Sequence, residues 1–93
     1  MKDNNINSLR EEINEIDLTM SKLFMVRMEV VAKIASYKGE NSLPIIDEDR
    51  EKEIIKKNLE LIQNKRLKKY YLSFLKTVLD LSKEYQKELL EAK

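Results

Sequence analysis

The side chains best placed to do chemistry in this sequence are those that interrupt apolar stripes, and Arg27 is the clearest of them. Ile6, Leu9, Ile13, Ile16, Met20, Leu23, Arg27, Val30 and Ile34 recur at alternating steps of three and four. That spacing puts them on one face of a helix. Eight of the nine are apolar and the ninth carries a permanent positive charge. A buried charge without a partner costs roughly several kcal/mol or more. Arg27 therefore calls for an anion, either a protein carboxylate or a ligand. Taken alone, it is as readily half of a coiled-coil ion pair as a binding group.

Other residues sit as oddly. Lys38 follows Arg27 by 11 positions, close to three turns, so the two share a face about 16 Å apart. Asp47, Arg50 and Glu51 are spaced i, i+3, i+4 and share a face at the start of a second helix. Ser82 and Gln86 lie one turn apart in the apolar stripe of a third. Each has an ordinary reading by itself: a lysine favoured at a helix C-terminus, acids favoured at a helix N-terminus, a satisfied polar pair. Together they describe a cationic pocket with a few hydrogen-bonding groups, suited to a small dianion whose carboxylates guanidinium groups grip in pairs.

The chemistry open to such a pocket is narrow. The sequence has no histidine and no cysteine, so the usual neutral-pH proton shuttle, thiolate nucleophile and commonest metal ligand are absent. No metal and no cofactor is expected. Lys38 can in principle form a Schiff base. Fixed charge and shape are the more natural means: hold one conformer and stabilise charge that develops in the transition state. A unimolecular rearrangement needs only that.

The elements that must position these residues are helices. The chain has 93 residues with one glycine and one proline, both within 39–44, which marks an all-α domain with a single sharp break. Helix 1 is predicted over about 8–38, opened by the capping-box pattern Ser8-Leu9-Arg10-Glu11 and closed by Gly39 as a left-handed cap. A loop covers 39–46. Helix 2 is predicted over about 47–63, with Asp47, Glu48 and Asp49 in its first turn and Asn64 as its stop. Helix 3 follows over about 67–90. Helix 1 would measure about 46 Å, whereas a compact chain of this length has a radius of gyration near 12 Å. Its stripe is therefore expected to be buried against a second copy, giving an intertwined homodimer.

The near balance of charge, net +1, argues against nucleic acid as a partner. The basic run Lys65-Arg66-Leu67-Lys68-Lys69 beside Tyr70 and Tyr71 reads as a solvated face. No apolar run approaches the length of a membrane span, and Met-Lys-Asp-Asn-Asn lacks the apolar core of a signal peptide. No membrane partner and a cytoplasmic location are expected.

With these residues in view, the sequence resembles the all-helical, intertwined class of chorismate mutases from about Leu9 to Leu90. The likeness is carried by the opening Leu9-Arg10-Glu11-Glu12-Ile13-Asn14-Glu15-Ile16-Asp17, by the arginine and lysine of Leu23 to Lys38, by Pro44-Ile45-Ile46-Asp47-Glu48-Asp49-Arg50-Glu51, and by Ser82-Lys83-Glu84-Tyr85-Gln86. Each piece alone is weak; four in order at matching separations are specific. The resemblance implies that Arg27, with Arg10 from the partner subunit, binds the two carboxylates of chorismate. It implies that Lys38 and Gln86 hydrogen-bond the ether oxygen, where negative charge grows as the C–O bond breaks. Glu51 would accept from the ring hydroxyl with the Asp47 backbone nearby, Ser82 would help hold the ring carboxylate, and Arg50 would line the site and orient Glu51 and the substrate. The product would be prephenate, formed by a Claisen rearrangement in phenylalanine and tyrosine synthesis. The trans role for Arg10 agrees with helix geometry, since Arg10 and Arg27 lie about 100° apart around the axis. Some members of the family carry a glutamate that must be protonated where this chain has Gln86. An amide is a neutral donor, so activity is expected to persist through neutral pH.

Two alternatives stand beside this reading. One is an isochorismate pyruvate lyase of the same fold, which Glu51 disfavours because it suits the ring hydroxyl of chorismate. The other is a helical dimerisation module without chemistry, which explains the heptads but not the polar residues that interrupt them.

Overall fold

A computed structural model of the protein describes residues 5–92. Met1–Asn4 and Lys93, and with them most of the N-terminal stretch read for a signal peptide, lie outside the described residues. All three elements are helices: α1 (Ile6–Glu40), α2 (Glu48–Glu60) and α3 (Lys65–Glu91). No strand occurs among the described residues. This is the all-α, three-helix order expected. No helix among the described residues is long and apolar enough to cross a membrane.

The chain divides into two compact units, residues 1–30 and 31–93. The described part of the first unit is helical, and none of its side chains is buried. Its apolar stripe is open, from Leu9 at 45% exposed to Leu23 at 64%. The helix begins two residues before the expected start. Asn5 Oδ1 accepts from the Ser8 backbone N–H at 2.9 Å, and Leu9 N–H donates to the Asn5 carbonyl at 3.1 Å. Asn5 thus takes the capping role expected of Ser8. Both residue types cap well, and the earlier cap adds backbone bonds to an already nucleated helix.

The second unit holds the end of α1, α2 and α3. Here the reversal after α1 differs from the expectation in an instructive way. Gly39 is inside the helix and no glycine has positive φ; Ser42 does, at 54°. Leu43 N–H donates to the Lys38 carbonyl at 2.8 Å and Ser42 N–H reaches the Gly39 carbonyl at 3.5 Å. This is a Schellman turn with serine in the left-handed position. Gly39 is needed for packing instead. A Cβ on it would lie 2.8 Å from Leu90 Cδ2, so the missing side chain lets the end of α1 approach α3.

Helix α2 starts after Asp47, which caps it rather than entering its first turn: Asp47 Oδ1 accepts from Arg50 N–H at 3.0 Å. It ends at Glu60, short of the expected 63, because Leu61 and Ile62 N–H turn to the carbonyls of Asn58 and Leu59, both at 3.1 Å. Those three-residue steps tighten the last turn and release the chain. Asn64 caps the next helix instead of stopping this one, accepting from Arg66 N–H at 3.0 Å. Helix α3 therefore begins at Lys65, ahead of the expected Leu67.

The core of the second unit is small. Val31 and Ala35 of α1 and Leu75 and Leu79 of α3 are its buried apolar side chains, joined by two polar ones, Ser82 and Gln86. Positions 75, 79, 82 and 86 follow the four-three-four spacing of one helix face. Helix α2 lies along α3, its Ile54, Ile55 and Leu59 half-buried.

Candidate functional site

The eight expected site residues divide between the units. Arg10 and Arg27 belong to the first, where Arg10 is exposed and Arg27 half-buried within the stripe. Lys38, Asp47, Arg50, Glu51, Ser82 and Gln86 belong to the second, and there the structure relates them to one another.

Lys38 lies in the last turn of α1, where the helix dipole favours a cation. The Schellman turn folds the chain back over it, and its Nζ donates to the Ile45 carbonyl at 2.9 Å. The ammonium is thus held by local backbone beside an open cleft of about 480 Å³ lined by Lys38, Pro44, Ile46 and Asp47 among others. Clefts of that size admit small ligands. A lysine has three N–H donors, so the bond to Ile45 leaves two for another acceptor.

Asp47 is committed to capping α2, and its carbonyl accepts from Glu51 N–H at 3.0 Å. Glu51 is half-buried on the side of α2 that meets α3. Its Oε1 accepts from Lys83 Nζ at 2.9 Å. Arg50 turns elsewhere: its Nη1 lies 2.7 Å from Glu53 Oε1. The expectation that Arg50 orients Glu51 is not what the structure shows. The two are adjacent in sequence, so on a helix they face different directions, and Glu53, one turn on, is the nearer carboxylate. Lys57, also 3.3 Å from Glu53, holds the Glu53 carboxyl below its ordinary range through a hydrogen bond and its charge, with Arg50 adding to the effect.

Ser82 and Gln86 carry the polar character of the site into the core. Ser82 Oγ donates to the Val78 carbonyl at 2.7 Å, a bond within its own helix. Gln86 is 7% exposed, and its Oε1 has no hydrogen-bond partner. Most buried polar groups are paired, and one that is not calls for an explanation. The amide sits one turn before Leu90, the residue that the Gly39 backbone approaches. Close packing at Gly39 therefore brings the Lys38 end of α1 to the part of α3 that bears Gln86.

Lys83 is the residue the sequence reading missed. It lies inside the quoted stretch Ser82 to Gln86 but was assigned no role. It stands between Ser82 and Gln86 and also reaches Asp80 Oδ1 at 3.4 Å. The Glu51 bond foremost, helped by both acids' charges, raises its pKa above the ordinary lysine value of 10.5. No pattern within α3 announces a bond that crosses to α2.

Comparison with known proteins agrees with the resemblance. Residues 9–87 match the family model for chorismate mutase type II. The chain is 37% identical over 89 residues to the bifunctional chorismate mutase/prephenate dehydratase of Buchnera aphidicola subsp. Acyrthosiphon pisum, which covers 95% of this chain. It is 35% identical over 88 residues to the protein of the same name from Buchnera aphidicola subsp. Schizaphis graminum, covering 94%. The chain spans 23% of the length of each relative. No solved structure matches it.

Proposed function

Since the chain belongs to the chorismate mutase type II family, we propose that it converts chorismate to prephenate, as a homodimer, in the cytoplasmic synthesis of phenylalanine and tyrosine. The observation that carries the proposal is the Gln86 amide, a polar group kept buried on the core face of α3 beside Leu75 and Leu79. A core has little reason to keep such a group unless a ligand uses it. Its –NH2 is a neutral donor, and Lys38 supplies a cationic one.

The reaction needs no more than these donors and a clamp. Within bound chorismate the ether C–O bond breaks as a new C–C bond forms, with no covalent bond to the protein. Negative charge grows on the ether oxygen, and Gln86 and Lys38 donate to it. Because that charge is largest in the transition state, the donors favour the transition state over the ground state. Arg27 and Arg10 of a second subunit bind the two carboxylates and hold the reactive conformer. Glu51 accepts from the ring hydroxyl. The exposed stripe of the first unit supports the second subunit, because monomers rarely leave so much contiguous apolar surface in water.

The test is direct. Purified protein should consume chorismate, followed by loss of its ultraviolet absorbance, and yield prephenate. Lys38→Met should lower kcat by about 10²–10³-fold. Arg10→Ala and Arg27→Ala should each be nearly inactive, yet mixing them after unfolding and refolding should restore about a quarter of the wild-type rate, since half the dimers are mixed and each has one intact site. Failure to consume chorismate refutes the proposal. Release of pyruvate from isochorismate would identify a lyase instead, and inertness towards both would identify a dimerisation module.

A further inference from the structure

We propose that Lys83 is a positioning residue for the reaction: it holds the Glu51 carboxylate in the orientation that receives the substrate's ring hydroxyl. This rests on the function proposed above and adds a residue to it. The Lys83–Glu51 contact is 2.9 Å, and the two side chains are 31% and 24% exposed. The other ion pairs of α2 are more open, with Arg50 and Glu53 at 57% and 50% and Lys57 at 71%. A partly buried pair is screened less by salt and held more firmly than an exposed one.

The alternatives for both partners are weaker. Asp80 also approaches Lys83, at 3.4 Å, but is 70% exposed. Arg50, which adjoins Glu51 on α2, is paired with Glu53 instead. The group that fixes Glu51 therefore comes from α3. Lys83 engages Oε1 and leaves Oε2 to accept a proton donor from the ligand. It follows Ser82 directly and precedes Gln86 by one turn. The bond thus ties the carboxylate that reads the hydroxyl to the helix bearing the donor for the ether oxygen, and fixes the spacing between those two points of contact.

The experiment is a double-mutant cycle on kcat and KM for chorismate, with Lys83→Met, Lys83→Arg, Glu51→Gln and the double variant Lys83→Met/Glu51→Gln. Lys83→Gln serves as a second neutral replacement should the methionine variant fold poorly, and circular dichroism melts check that each protein is folded. Lys83→Met should lower kcat/KM about tenfold, and Lys83→Arg, which can remake the bond, should recover all but about threefold. In the Glu51→Gln background the Lys83→Met change should have no further effect, because the carboxylate it positions is gone. Lys57→Met, which breaks only an exposed pair, should match the wild type. Kinetics for folded Lys83→Met and Lys83→Gln within about twofold of wild type would overturn the inference. An equal loss in both backgrounds would also overturn it, since Lys83 would then act through its charge on the pocket and not through Glu51. A wild-type protein that leaves chorismate untouched would overturn the functional proposal itself, a different result from either.

Discussion

Replacing Gln86 by leucine should make this protein more stable and nearly inactive. The side chain is 7% exposed and its Oε1 has no partner, so folding strips an acceptor of water and returns nothing. An unsatisfied buried polar group costs about 1–3 kcal/mol. Leucine has a similar volume and fits a face already lined by Leu75 and Leu79, so little of that gain should be lost to overpacking. Unfolding in urea should show a gain of about 1–3 kcal/mol, or about 5 °C in Tm per kcal/mol for a chain of this length. Wild type and variant must be compared at equal concentration, because the stability of a dimer depends on it. Activity should move the other way. Losing a donor to the ether oxygen removes about 3–4 kcal/mol of transition-state stabilisation, a 10²–10³-fold fall in kcat. The two measurements refute different steps. A variant both less stable and less active would mean that the amide is satisfied in the assembled protein. One more stable and fully active would mean that Gln86 does not touch the reacting bond.

Gln86→Glu should turn a pH-independent enzyme into an acid-requiring one: burial raises a carboxyl pKa, so activity should survive at low pH and fall towards neutrality, while the wild-type profile stays flat from pH 5 to 8. Ser42→Gly should stabilise the protein by about 1 kcal/mol, read by urea unfolding, because glycine adopts the positive φ of 54° without the Cβ penalty. Glu53 should contribute to acid sensitivity in a defined window. Its folded pKa lies below the ordinary 4.5, so its contribution is present above 4.5 and lost as pH falls through the depressed value; Glu53→Gln should remove that part of the acid transition and leave stability at pH 7 less changed by acidification.

Long-range order was easier to read from this sequence than the ends of its elements. Periodicity and the confinement of Gly39 and Pro44 to one stretch identify three helices, because both act over many residues at once. The ends depend on competition between near-equal caps. Asn5 displaces Ser8, Asp47 leaves the first turn to cap it, and Ser42 takes the left-handed position that Gly39 seemed to offer. Gly39 misled because its small size answers to Leu90, a residue on another helix. The candidate site divides in the same way. Ser82 and Gln86 stood out because each breaks an apolar stripe, and both are buried. Arg50 and Lys83 could not be sorted by spacing alone. A helical pattern says which residues share a face, not which faces meet, and the cation beside Glu51 comes from the facing helix.

The stripe of the first unit bears on the proposed partner in the same quantitative way. Ile6, Leu9, Ile13, Ile16, Met20, Leu23 and Val30 are between 45% and 64% exposed. Fully burying one such side chain contributes about 1.5–3 kcal/mol, so covering the half still open contributes roughly 1. Two copies bring fourteen of them, roughly 10–20 kcal/mol in all, against an association cost of about 4–15 kcal/mol. A self-complementary stripe can therefore hold a dimer without help from any other surface. Leu23, the most exposed of these residues, is also one turn from Arg27. Leu23→Glu should place a charge in the proposed seam, and sedimentation should show the proposed dimer dissociating as chorismate turnover disappears, because Arg27 would then lose the subunit proposed to bring Arg10. A Leu23→Glu chain that stays dimeric and active would show that the stripe is not the seam, and the trans arginine would lose its physical basis.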